Sequence, residues 1–212
     1  MNVTDIITQV QETVDRKDVT PARIYTWLNN RQRTIQQIEN AYFMNKTVTT
    51  PTIAGQRSYV VPLDYKDELI ISLLDGNQRT ILPKWRSTEP ERHVSANDRQ
   101  GKPNNYWIWE EAYFLEPIPD KVYTLELRYY SYLADLSATN LTNEFTKIFP
   151  DLLISGATAD AFTYLFEPTQ AAIWEQKYGL FLLGDRVTVG YLPQIRKRSL
   201  SNYNPRMRLQ LR

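Results

Sequence analysis

The chain has 212 residues, 42% of them hydrophobic, with 25 Lys and Arg against 24 Asp and Glu and no cysteine. That length fits one domain or one domain with an elaborated insertion. The lack of cysteine excludes disulfides and thiolate metal sites, and no run reaches the ~18 apolar residues of a membrane span. The charge is unevenly placed: Gln194–Arg212 holds six cations and no acid, which leaves 19 basic against 24 acidic residues, formally −5, in residues 1–193.

The N-terminus, Met1 to Asp18, is polar and lacks an apolar signal core. The three Asn-x-Thr matches at Asn2, Asn45 and Asn140 read as chance, and synthesis in a cytoplasm is expected. Val3, Ile6, Ile7, Val10 and Val14 recur at helical spacing and predict an amphipathic helix over 3–16. Thr20-Pro21 is a start signal, with Thr as N-cap and Pro at the first helical position. The helix that follows is expected over 21–43, with Ile24, Trp27, Leu28, Ile35, Ile38 and Tyr42 on one face. Asn29, Asn30, Arg31, Gln32 and Arg33 are assigned to its other face.

After Asn45 the pattern turns to strand. Thr47–Thr50 is β-branched, Ser58–Val61 is stopped by Pro62, and Leu69–Leu74 with Arg79–Leu82 forms a hairpin through Asp75-Gly76-Asn77. Residues 87–99 read as a polar helix or loop. Tyr106–Trp109 and Ala112–Leu115 make a second hairpin across Glu110-Glu111. From Val122 to Tyr132 the residues alternate, with Tyr123, Leu125, Leu127 and Tyr129 on one side and Val122, Thr124, Glu126 and Arg128 on the other. Helix returns over 150–166, where small residues permit close approach of a neighbour; Glu167-Pro168 breaks it, and Thr169 caps a further helix over 169–187. The fold class expected is α+β: a helical bundle from residues 1–46 and 143–193, an inserted antiparallel β domain over 47–142, and an extended basic arm over 194–212.

Chemistry-bearing patterns are sparse. Seven scattered glycines form neither a phosphate-cradling loop nor a dinucleotide fingerprint. The single histidine, His93, sits in a charged segment with no nucleophile motif and reads as a surface or loop residue. Asp64, Asp67 and Glu68 read as a solvated turn ahead of the strand at Leu69 rather than a metal or acid–base cluster. No catalytic residue, cofactor or metal is expected.

The arm is where function outweighs a bland reading. Arg196, Lys197, Arg198, Arg206, Arg208 and Arg212 are interleaved with Leu200, Tyr203, Met207, Leu209 and Leu211. A merely solubilising tail has no need of such anchors, whereas a segment that folds on a partner does. Arg with interleaved Tyr also suits a phosphate backbone, so a nucleic-acid-binding module is the competing reading; the acidic body argues against DNA as sole partner.

The order of elements resembles the head-to-tail adaptor (connector) proteins of tailed bacteriophages. The residues carrying the likeness are Leu115-Glu-Pro-Ile-Pro119, the strand Tyr123–Tyr130, Phe149–Ala157 opening a helix that reaches Ala161–Tyr164, and Trp174–Tyr178. The resemblance implies a non-enzymatic virion protein of the neck. It would form a homo-oligomeric ring of neighbouring copies, usually twelvefold, beneath the portal protein. The C-terminal arm would reach the portal, tail or nozzle proteins would dock elsewhere, and DNA would pass non-specifically through the lumen. Another neck or tail-completion protein is the nearest alternative.

Overall fold

The structure, a computed structural model, describes residues 1–85, 99–184, 190 and 191. The fold is α+β, and the chain divides into two compact units. One comprises Met1–Phe43 with the described residues from Tyr132 onward; the other is Met44–Ser131. Residues 132–142 thus fall in the same unit as the helices.

In the helical unit, α1 spans Val3–Val14, and all five of its periodic apolar residues are buried. Asn2 caps it: its side chain accepts from the Asp5 N–H at 2.9 Å, while Asp5 accepts from the Asn2 N–H at 3.1 Å. The second helix, α2, spans Pro21–Ile38. Thr20 takes the N-cap position but makes no side-chain cap bond, and the helix ends at the extended Glu39 rather than at 43. A short helix that the periodicity missed, α3 at Glu144–Ile148, is capped by Asn143 and Thr146. Then follow α4, Pro150–Tyr164, and α5, Pro168–Leu183. Pro168, not Thr169, opens α5, since its fixed φ suits the first helical position and its missing N–H is one that needs no partner there. The helix closes at Gly184, φ 81, ahead of the expected 187.

The centre of this unit is α4, which packs against α1, α2 and α5. Leu152, Leu153, Ser155, Gly156, Ala157, Thr158, Ala159, Ala161 and Phe162 are all buried, so the helix is covered on nearly every side. Its small residues do what their size suggests. A Cβ on Gly156 would lie 3.0 Å from Tyr178 Cδ2 and 3.1 Å from Arg31 Cγ, so glycine lets two other helices close onto α4 at this point.

Among the described residues the β unit has nine strands: β1 Asn45–Pro51, β2 Ser58–Val60, β3 Tyr65–Asp75, β4 Gln78–Leu82, β5 Gln100–Gly101, β6 Asn105–Trp109, β7 Ala112–Glu116, β8 Ile118–Pro119 and β9 Thr124–Ser131. A four-stranded antiparallel sheet runs β1-β9-β3-β4, a three-stranded antiparallel sheet runs β2-β7-β6, and β5 and β8 form a short parallel pair. Both expected hairpins form. Asp75 pairs with Gln78 across Gly76-Asn77, where Gly76 has φ +60, and Trp109 pairs with Ala112 across Glu110-Glu111. The alternation in β9 holds, with Leu125, Leu127 and Tyr129 buried. They meet Ile71 and Leu73 of β3 and Tyr106, Tyr113, Leu115 and Tyr59 of the smaller sheet in one core.

Much of the tyrosine content goes into this core with the hydroxyls partnered, as buried phenols require. Tyr123 donates to Asp120 at 2.7 Å and Tyr129 to Asp64 at 2.8 Å. Burial and the adjacent carboxylates push both phenols up to about 12, so each remains a donor at neutral pH. The polar cluster Asp64, Asp67 and Glu68 is not a turn ahead of a strand at Leu69. The strand begins at Tyr65, so Asp67 and Glu68 lie inside it, where Tyr65 and Lys84 both bond Glu68 while Lys46 and Tyr129 bond Asp64.

Replacing Leu127 with Ala, at the middle of the central strand, is expected to destabilise the fold by about 2–5 kcal/mol in urea unfolding. Burial pushes the Asp64 carboxyl up, but bonds from Lys46 and Tyr129 outweigh it and hold the group below its ordinary value. A carboxylate depressed on folding contributes stability above its unfolded pKa, near ~4, and loses it as pH falls through the folded value. Asp64→Asn is thus expected to flatten the decline of the urea midpoint below about pH 4.

Candidate functional site

The site builds outward from Arg31 on α2. Its guanidinium donates to both carboxylate oxygens of Asp160 on α4, at 2.9 and 2.7 Å, and to both of Glu175 on α5, at 2.9 and 2.7 Å. The same group lies 4.6 Å from the ring centroid of Tyr178, which is buried. One planar cation therefore ties three helices through two forked ion pairs and a ring face, a geometry that lysine lacks. Burial opposes the charge on Arg31, and the bonds from Asp160 and Glu175 override it and raise its pKa. Burial likewise raises the Tyr178 phenol, against the lowering effect of Arg31.

Three amides on α2 do a second job. Asn29 donates to the Leu136 carbonyl at 3.0 Å and accepts from the Leu136 N–H at 2.8 Å. Gln36 accepts from the Leu133 N–H at 2.6 Å, and Gln32, fully buried, accepts from Asn143 at 2.6 Å. These side chains replace a neighbouring strand for the returning segment 133–136, satisfying backbone groups that would otherwise be buried unpaired. Residues 29, 31 and 32 are thus not the solvent face of α2 that their polarity suggests. The readable signal was the spacing of Asn29, Gln32 and Gln36, which puts three amides on one helical stripe.

Held by the clamp, α5 turns Tyr178 inward with Trp174, Phe181 and Leu182 half-buried beside it. Its opposite flank carries Ile173, Leu180 and Leu183, at 54%, 41% and 63% exposure. Phe166, in the tight link between α4 and α5, is 92% exposed with φ 59. That left-handed backbone favours glycine and costs other residues roughly 1–2 kcal/mol.

Beside this flank, α1, α4 and α5 enclose a groove of about 270 Å3 lined by Glu12, Asp151, Ile154, Trp174 and Phe181 among others. Among the described residues no helix is long and apolar enough to cross a membrane, and no cluster of three His, Cys, Asp or Glu side chains is placed to hold a metal. His93 and the segment expected as a polar helix or loop fall almost wholly outside the described residues. So do all the arm residues singled out above: Arg196, Lys197, Arg198, Leu200, Tyr203, Arg206, Met207, Arg208, Leu209, Leu211 and Arg212.

Comparison with known families places this arrangement. The family model described as SU10 adaptor protein matches residues 1–203. The chain belongs to that family. A search of curated proteins finds no match. The adaptor is accordingly a structural component of a phage virion at the head-to-tail junction, and its family is not an enzyme family.

Arg31→Met leaves Asp160 and Glu175 without their cation and is expected to lower stability by about 2–3 kcal/mol. Arg31→Lys should recover less than half of that loss, because a point charge cannot make both forks. Urea unfolding of the two variants measures both.

Proposed function

We propose that the adaptor assembles side by side with copies of itself into a homo-oligomeric ring, twelvefold as in the proteins it resembles, seated beneath the portal. The arm, residues 194–212, docks on the portal; other surfaces receive tail or nozzle proteins; and DNA passes through the lumen without specific contacts. Assembly takes place in the host cytoplasm.

The observation that carries this reading is the outward flank of α5. α5 carries apolar residues on several sides, yet Tyr178 is its only buried residue. Ile173 and Leu180 stand seven residues apart on one line, with Leu183 three beyond, so the exposed apolar residues share one flank, with Gln176 between the first two. A heterologous contact would cover this flank in every copy, and closure of that contact gives a ring. Individual rim ion pairs contribute little, ~0.2–1 kcal/mol each. Affinity for the portal therefore comes from apolar anchors such as Tyr203 and Met207 and from repeating a weak contact around the ring. The formal −5 of residues 1–193 suits a channel along which DNA slides without adhering.

Deleting residues 195–212 is expected to leave a folded protein that no longer binds portal complexes in cosedimentation; portal binding by the truncated chain would overturn the arm assignment. Phe166→Gly and Leu180→Glu test the ring. Phe166→Gly should change monomer stability by less than about 1 kcal/mol, because lost strain offsets lost chain restriction. Both variants should reduce ring formation seen by analytical ultracentrifugation in the presence of portal.

A further inference from the structure

The groove between α1, α4 and α5 has unspent chemistry. Glu12 and Asp151 line it, and neither carboxylate has a hydrogen bond or ion pair among the described residues. Asp151 sits in the first turn of α4, where the helix dipole favours a negative charge. The other wall is aromatic with one cation, Lys177, itself a lining residue, whose Nζ lies 4.3 Å from the Trp174 ring centroid and 5.9 Å from that of Phe181. A concave site with free carboxylates, indole and phenyl faces, and Ile154 at its side fits a guanidinium or ammonium group carried on an apolar stem.

The place where the described chain stops selects the occupant. Tyr191, its last described residue, packs 4.8 Å from Phe149 and 6.1 Å from Phe181, centroid to centroid, and Phe181 is itself a wall of the groove. The preceding Gly190 fits directly onto the end of α5, since a Cβ there would fall 2.2 Å from the Gly184 nitrogen. The chain is therefore delivered to the rim of the groove. Arg196, Lys197 and Arg198 follow five to seven residues later, within roughly 16–25 Å of contour, at the start of a segment with six cations and no acid.

We propose that this groove is a binding site for the chain's own basic segment, residues 194–212, with Arg196–Arg198 set against Glu12 and Asp151. The unassembled adaptor then carries its arm on its own helical unit, and a docking partner must compete the arm away. This last consequence rests on the arm being the docking element; the groove contact itself does not.

The absence of native cysteine allows a direct test in the full-length chain. Thr13, on the groove wall, and Ser199, beside the basic triplet, are both replaced by cysteine, which leaves every charge in place. The pair is linked with a short bismaleimide at low protein concentration and read by peptide mass spectrometry. The expected result is an intramolecular 13–199 link, well above that of a control pair joining Ser199→Cys to Thr26→Cys on the exposed side of α2. Adding Glu12→Gln with Asp151→Asn should reduce the yield about fivefold, as should raising the salt to about 0.5 M. Dimeric products linking 13 to 199 would make a second copy the occupant and overturn the intramolecular assignment. A yield no higher than the control, or indifferent to the two carboxylate changes, would overturn the groove as a site. Portal binding by the arm-deleted protein bears only on the docking reading, so the two failures are separable.

Discussion

The helical unit depends on a single directional interaction, the pair of forks that Arg31 makes with Asp160 and Glu175. Apolar packing brings helices together without fixing their rotation. For α1 that is no difficulty, because its apolar residues lie on one face and only one orientation buries them. The fifth helix is apolar on several sides, so burial alone leaves its rotation open. Glu175 and Tyr178, three residues apart and therefore on one face, supply what burial cannot: they can meet Arg31 only if Ile173, Leu180 and Leu183 turn away. The polar clamp thereby creates the exposed apolar flank as well as the bundle. Glycine at 156 is the geometric condition for it, since Arg31 and Tyr178 both occupy the space a side chain there would need.

The β unit is organised by a different rule. Period-2 alternation fixes which face of each strand is buried, and a one-residue slip would expose the whole set. Tyrosine is used here as a core residue with a wet or bonded end. The rings of Tyr59 and Tyr113 stack at 5.7 Å, while the Tyr59 hydroxyl bonds the backbone of Ile53 and Gln56. Core and turn are thereby held by the same side chain. This accounts for part of the aromatic content without assigning it to a binding surface.

Local patterns carried far in this chain. The five buried positions of α1, the two hairpins with their glycine and glutamate turns, and the inward face of β9 all follow from the spacing of neighbouring residues. Helix ends were less legible. Thr20 and Thr169 have the chemistry of caps, but Thr20 makes no side-chain cap bond and Thr169 lies within the first turn of α5, after Pro168. The short helix at Glu144–Ile148 is too brief to show a period at all. Around the candidate site, the separation of charge and the amide stripe of Asn29, Gln32 and Gln36 are visible in the sequence, and the groove lined by three helices is not.

By itself the sequence determined the separation of charge, the α+β order and the buried faces of those elements whose apolar residues repeat at a single period. Only the tertiary structure decided that Gln32 is fully buried, that Arg31 faces two carboxylates, and that α5 leaves one flank uncovered. The physical reason is distance along the chain. A polar side chain can be buried only where partners replace its water, and those of Asn29, Arg31, Gln32 and Gln36 arrive from residues 97 to 144 positions away.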